Sequence, residues 1–212
     1  MLIKQGGAGG GSADIADAPK ITFDGKWLPW HVDFYDGTPY WEAWFLTSGT
    51  LTVEGSYTAD AWGIGGGGVP SWSSGGGSTL AGTAGVPAMA LGIALTGTVA
   101  VTIGAGGSNG GYSGDGGGAT RLGDALTCPG APEPTGASVP SDTHKRYRFE
   151  DPDKAAEAGS NRTKGSGRAQ GGWLAINRTV GSRDGAQGDG FGAGGGYYGY
   201  AAAGALVIRI PM

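Results

Sequence analysis

The residues best able to do chemistry are few and sit among aromatic rings. Asp33, Asp36 and Glu42 lie within ten positions of one another. Two carboxylates held on either side of a scissile bond are what glycoside hydrolysis needs, so these three are the candidates for a glycan-cleaving site. His31 stands between Trp30 and Val32, and His144 is isolated. Neither has a neighbour with the signature of an activated nucleophile: Ser48 and Asp33 are near His31 in sequence but form no triad pattern. A closed zinc site needs about four Cys or His ligands, and the chain has one Cys and two His. Gly110 to Asp115 is superficially similar to a calcium-binding G-G-x-G-x-D repeat, but its fourth position is Ser113 and the unit does not recur. Thr163-Lys164-Gly165-Ser166 has the wrong order for a phosphate loop and no helix pattern behind it. The triplets starting at Asn161 and Asn177 fit a glycosylation acceptor, which matters only in a secretory pathway. The reading is a protein that is not an enzyme, with no cofactor and no metal.

The elements that must position any site are dominated by glycine, 48 of the 212 residues, with 11 prolines. That share without a three-residue period excludes collagen and ordinarily signals low complexity. Seven Trp, eight Tyr and five Phe argue otherwise, because large rings are there to be packed. Eight of these rings fall between Trp27 and Phe45, in a segment from Ile21 to Phe45 that is broken by the turn pairs Asp24-Gly25 and Asp36-Gly37, the pattern of short strands joined by tight hairpins. Alternating apolar positions recur at Leu51 and Val53, at Val99, Val101 and Ile103, and at Leu206, Ile208 and Ile210, with Arg209 pointing outward. Only Asp153 to Ala158 has helix formers, stopped by Gly159. The expectation is an all-β, glycine-rich, β-sandwich-like domain with long Gly loops and polyproline-II-like segments, and no long helices.

Chain order divides the protein into a Gly-rich arm over 1–20, an aromatic strand segment over 21–45, a glycine-rich β domain over 46–126 and 171–212, and a charged, Pro-rich insertion over 127–170. That insertion holds six acidic and seven basic residues and five of the prolines. The formal charge of −4 gives no broad attraction to nucleic acid or anionic lipid. No run of 18 apolar residues is present for membrane insertion. A single Cys128 makes no internal disulfide. Each glycine held in a regular element costs roughly 0.5–1 kcal/mol relative to alanine. Compensation is expected from close backbone approach and from burial against identical subunits, a trimer or another cyclic homo-oligomer.

Four tracts in order carry a family likeness. Phe45 to Val53 is a first strand, Ala61-Trp62-Gly63-Ile64 leads into Gly65 to Gly68, Thr98 to Ile103 leads into Gly104 to Gly107, and Gly204 to Ile210 closes the chain. This series resembles the glycine-rich domain of bacteriophage tail-fibre and other virion proteins, over residues 45–126 and 171–212. The resemblance implies a β-rich fold with glycine loops on one exposed side, a virion location after assembly in the host cytoplasm, contact with other virion proteins and with a host surface glycan or protein, and no enzyme activity. The charged insertion and the aromatic segment depart from the family pattern. The receptor-contact candidates are the rings in or beside the glycine tracts: Trp62, Trp72, Tyr112, Tyr197, Tyr198 and Tyr200. Rigid rings among small residues are the composition of adaptable binding surfaces; the same rings also suit staples that pin glycine loops to a core. Two other readings stand beside a tail-tip, baseplate or fibre protein: a capsid decoration or head-fibre protein, and a glycan-binding or glycan-degrading protein using the aromatic segment.

Overall fold

The computed structural model describes residues 18–35, 38–69, 83–108, 115–131, 146–147, 155–156, 191–192 and 200–212. The fold is all-β, and no helix occurs among the described residues. The strands are β1 (Ile21–Phe23), β2 (Trp27–Tyr35), β3 (Thr38–Phe45), β4 (Gly49–Ile64), β5 (Pro87–Thr102), β6 (Thr120–Leu122), β7 (Leu126–Cys128), β8 (Arg146–Tyr147), β9 (Ala155–Ala156) and β10 (Ala205–Pro211). One antiparallel sheet runs β2-β3-β10-β4-β5-β6-β7, with β1 also on β4, and β8 and β9 pair separately. Of the helix formers at 153–158, the two described residues, Ala155 and Ala156, form a two-residue ladder with Tyr147 and Arg146.

The long strands β4 and β5, each of 16 residues, pair with each other and carry the sheet around a corner. One edge of β4 serves two partners, β1 at Leu51 to Val53 and β10 at Asp60 to Ile64. Between them the β4–β5 register shifts twice, at Val53/Ser56 and Ala59/Ala61. Gly55, Gly92 and Gly97 take positive φ values of 90°, 63° and 63° at these bends, a conformation costly for any residue with a Cβ. The sheet closes over itself there into two layers around one core. Phe23 of β1 meets Phe45 of β3 edge-on at 5.0 Å between ring centroids, and Leu122, Leu126 and Cys128 bury in the same cluster as Phe45, Leu206 and Ile208.

Alternation in β4 places Leu51 and Val53 inward and Thr50, Thr52 and Glu54 outward, as the sequence pattern predicts. Strand β10 departs from it. The core takes Leu206, Ile208 and Ile210, but Val207 and Arg209 on the opposite face are buried as well. The expectation of an outward, solvated Arg209 is thus overturned: it lies in the interior of the sheet, between β3 and β4, under a second cluster formed by Trp62, Ile64, Ala205 and Val207 with Trp44 and Phe191.

Candidate functional site

Beyond the sheet, the glycine segments form a bundle with a hydrogen-bonding pattern of its own. Gly65 and Gly68 donate their N–H groups to the carbonyls of Val86 and Thr83, Gly66 and Val69 donate to Gly118 and Asp115, and Gly67 donates to Ala202. Partners thus repeat every third residue, the period of a polyproline-II helix, which has three residues per turn and no internal hydrogen bonds. The Gly66 and Gly67 carbonyls accept from Ala131 and Gly107, and Gly192 lies so close that a Cβ on it would sit 2.5 Å from the Gly65 oxygen. Residues 65–69 are therefore surrounded by six segments: 83–86, 104–107, 115–118, 129–131, 191–192 and 201–204.

Those six also bond to one another in a closed ring. Gly118 donates to Ala105, Gly117 to Ala131, Val86 to Pro129, Gly85 to Gly192, Gly192 to Ala203 and Gly204 to Gly104. A central chain with six neighbours has no direction left for a side chain, and the residues at its centre are Gly65, Gly66, Gly67 and Gly68. A Cβ on Gly66 would stand 2.0 Å from the Ala105 carbonyl oxygen, and one on Gly117 would stand 1.8 Å from that of Gly66. Ring segments face outward on one side, and there alanine appears: Ala105 and Ala203 are exposed.

The bundle has a sheet end and a free end. Residue 65 follows β4, 86 precedes β5, and 204 precedes β10, all at the sheet. Val69 bonds to Asp115 and Ala201 to Gly107, so residues 69, 83, 108, 115 and 200 lie at the opposite end, about four residues and roughly 12 Å away at ~3.1 Å per residue. The described residues that flank 70–82 and 109–114 lie at that end, as does residue 200, whereas Gly192, on the other side of 193–199, sits against Ile64 and Gly65 at the sheet end. Of the sequence-predicted contact residues, Tyr200 stands there with 62 % of its surface exposed. Trp72, Tyr112, Tyr197 and Tyr198 belong to these connections and lie outside the described residues. Trp62 is not with them: it is in β4, 9 % exposed, with the Arg209 guanidinium carbon 5.3 Å from its ring centre. It acts as a staple of the second cluster, and burial removes it from the set that a receptor could touch. At the free end Asp115 accepts from both the N–H and the hydroxyl of Ser108, at 3.0 and 3.3 Å, so the calcium-like aspartate closes a loop.

The carboxylate candidates converge elsewhere, on the face of the sheet opposite the main core. Pairing sets His31, Glu42, Arg209 and Asp60 in one row across β2, β3, β10 and β4. Glu42 accepts from Arg209 Nε at 2.6 Å with one oxygen and from the Trp44 indole N–H at 2.5 Å with the other. His31 Nε2 approaches that second oxygen at 3.4 Å, and Asp33 contacts Arg209 Nη2 at 3.4 Å. Glu42 and Arg209 are 3 % and 5 % exposed. Acid–base hydrolysis needs a carboxyl free to pass a proton across a cleft, whereas Glu42 and Asp33 share one guanidinium. This arrangement is an ion-pair network that ties β2, β3 and β10 together. Asp36 and His144 lie outside the described residues. Among the described residues, no group of three or more His, Cys, Asp or Glu is placed to hold a metal ion.

Cys128 is fully buried, its thiol against Gly63 and 3.9 Å from the Ala88 carbonyl. Burial pushes its pKa up to about 12, against a smaller lowering by that carbonyl contact. A thiol so placed is inert.

Sequence reasoning missed which glycine tract is central. The signal was present: Gly65 to Gly68 is an unbroken run that directly follows a long alternating strand, while the tracts at 104–107, 115–118 and 201–204 admit alanine or a polar residue. Comparison with protein-family models finds no match to this chain, and comparison with curated proteins finds none either.

Proposed function

We propose that this chain is a bacteriophage virion structural protein, a component of a tail tip, baseplate or fibre, that contacts the host cell surface by non-covalent binding through the free end of its glycine bundle. The observation that carries the reading is the polarity of the molecule. The glycine-rich connections 70–82 and 109–114 are flanked by described residues at one end of the bundle, where Tyr200 is exposed. Both described termini lie at the other. Strand β10 starts beside Ile64 at the bundle and finishes beside Tyr40, where Met212 donates to Pro39. Strand β1 runs backward from Phe23, opposite Leu51, to Ile21, opposite Val53, so the arm departs away from the bundle too. A protein anchored at one end and recognising at the other needs this layout.

The bundle also suits the role physically. Interlocked backbone with few side chains is a stiff base, and an exposed ring held on it, such as Tyr200, loses little entropy on binding. Many copies in a particle would add avidity.

Cryo-electron microscopy of intact particles tests the proposal. Density for this protein at a distal tail surface, with residue 200 turned outward, is the expected result, together with weaker cell binding by a Tyr200→Ala variant. Density on the head would move the protein to the capsid decoration class, and a bundle end buried between subunits would overturn host contact.

A further inference from the structure

One run of backbone spans the molecule from its free end to its base. Tyr200 is exposed at the free end, residues 201–204 belong to the bundle, and β10 follows directly and runs to Pro211. Its neighbours keep a constant register beside it. Ala205 stands opposite Ile64 and Leu206 opposite Gly63 in the sheet. Continued into the bundle, the same register puts Ala202 opposite Gly67, whose N–H the Ala202 carbonyl accepts. On another side, Gly204 donates to Gly104 and Ala201 to Gly107, again antiparallel and without a slip. Within the sheet β10 makes six residue pairs with β3 and five with β4, and Ala205 to Ile210 are all buried.

That layout fixes how the molecule answers force. Strand residues rise about 3.2–3.4 Å and polyproline-II residues ~3.1 Å, within about a tenth of what a fully extended chain spans. Tension applied at residues 200 and 211 therefore meets covalent backbone with almost no slack. Force that enters the free end through another segment reaches the base only by sliding that segment past β10. Antiparallel hydrogen bonds lie across the strands, so sliding loads all the lateral pairs of β10 at once. A slip of one residue would also turn Arg209 from Glu42 into the core. Force across the sheet meets less resistance. Leu28, Trp44, Val207, Trp62 and Met89 form one row in register over β2, β3, β10, β4 and β5. A pull along that row peels β2 from β3 pair by pair, starting at the register shift between Leu28 and His31.

We infer that residues 200–211 are a load-bearing spine, which carries tension between whatever the free end holds and whatever anchors the base. The direction of the load rests on the proposed host contact, because a protein that holds a particle to a cell is pulled along this line and not across its sheet. The resistance itself belongs to the chain alone.

Single-molecule pulling on the full chain tests it with no receptor present. Handles attach at cysteines placed on exposed residues, and the native Cys128 is buried. Ser108→Cys with Met212→Cys pulls from the free end to the base, and Leu28→Cys with Met89→Cys pulls across the sheet; circular dichroism confirms that both variants fold. At one loading rate the first should unfold at a force at least about twice that of the second, since lateral bonds fail together in one direction and in turn in the other. With handles at Tyr200→Cys and Met212→Cys, the tether should lengthen by no more than about a tenth of its span before the handles fail. A force along the spine no higher than the force across the sheet, or a larger lengthening step between residues 200 and 212, would overturn the inference. Neither result bears on host contact, which is decided separately by where the protein sits in the particle and by cell binding of the Tyr200→Ala variant.

Discussion

Arg209 holds together more of the sheet than its place in the sequence indicates. Period-two alternation assigns it to solvent, yet its strand is buried on both faces, and the charge is met by Glu42, by Asp33 and by the Trp62 ring. Alternation identifies faces and not which face is covered, so one face of β10 was legible and the other was not. Removing one partner of a buried pair leaves the other desolvated, a loss of about 3–5 kcal/mol. Arg209→Ala should lower stability by that amount in urea unfolding. The double variant Arg209→Met/Glu42→Leu should recover more than half, because it removes both charges. Cys128 gives a second test at this scale. Its folded pKa of about 12 lies above the ordinary value of 9.0, so the folded state keeps a proton that the unfolded state releases. The stability linked to it is fully present below pH 9 and declines as pH rises towards 12, by about 1.4 kcal/mol per unit at most. Comparing wild type with Cys128→Ala over that range should show the wild type falling more steeply, and the native thiol should not react with a maleimide at pH 7.5.

At the scale of elements, the glycine tracts give up their side chains to approach one another, and the cost of that flexibility is offset by satisfied backbone groups. Every N–H from Gly65 to Val69 has a carbonyl partner, which is required of buried main chain. The sequence named close backbone approach as one of two uses for these glycines, beside burial against identical subunits, and Gly65 to Gly68 show that approach. It did not reveal the ring, because which segments meet depends on where β4, β5, β6, β7 and β10 deliver them. Gly66→Ala puts a methyl 2.0 Å from a carbonyl oxygen that is itself held by Gly118, so no flexible group can give way. A loss of at least about 3 kcal/mol is expected, the range of severe overpacking. Ala105→Ser, on the exposed side of the ring, should change stability by less than about 0.5 kcal/mol. Thermal unfolding of the two variants measures both, and equal losses would mean that residues 65–69 are not enclosed. Hydrogen exchange supplies a check without mutation: the amides of Gly66 and Gly67 should exchange among the slowest in the protein.

Over the whole molecule, the aromatic segment and the glycine-rich part are one structure. Composition sets 21–45 apart from the glycine-rich residues after Phe45, but β3 pairs with β10, the last strand, through Leu206↔Phe45 to Pro211↔Tyr40, and β10 pairs in turn with β4. Composition reads local character, and this union rests on a pairing between residues more than 160 positions apart. The bundle adds to it, since its ring draws on segments from residue 83 to residue 204. Such a fold has no part that keeps its partners when another part leaves, so it should unfold as a unit. It should also fold slowly, because nearly all its pairings are long-range. The test uses two reporters at separate places. Tryptophan fluorescence is weighted to the β2–β3 side of the sheet, which holds Trp27, Trp30, Trp41 and Trp44, four of the seven tryptophans, and the accessibility of Cys128 follows the β7 side where the bundle begins. Both should move through the same guanidinium midpoint with a single slope. If the fluorescence changed first while Cys128 stayed protected, the β2–β3 hairpin would be a separable unit. Arg209 would then hold only its own neighbourhood, and the bundle would stand without the aromatic strands.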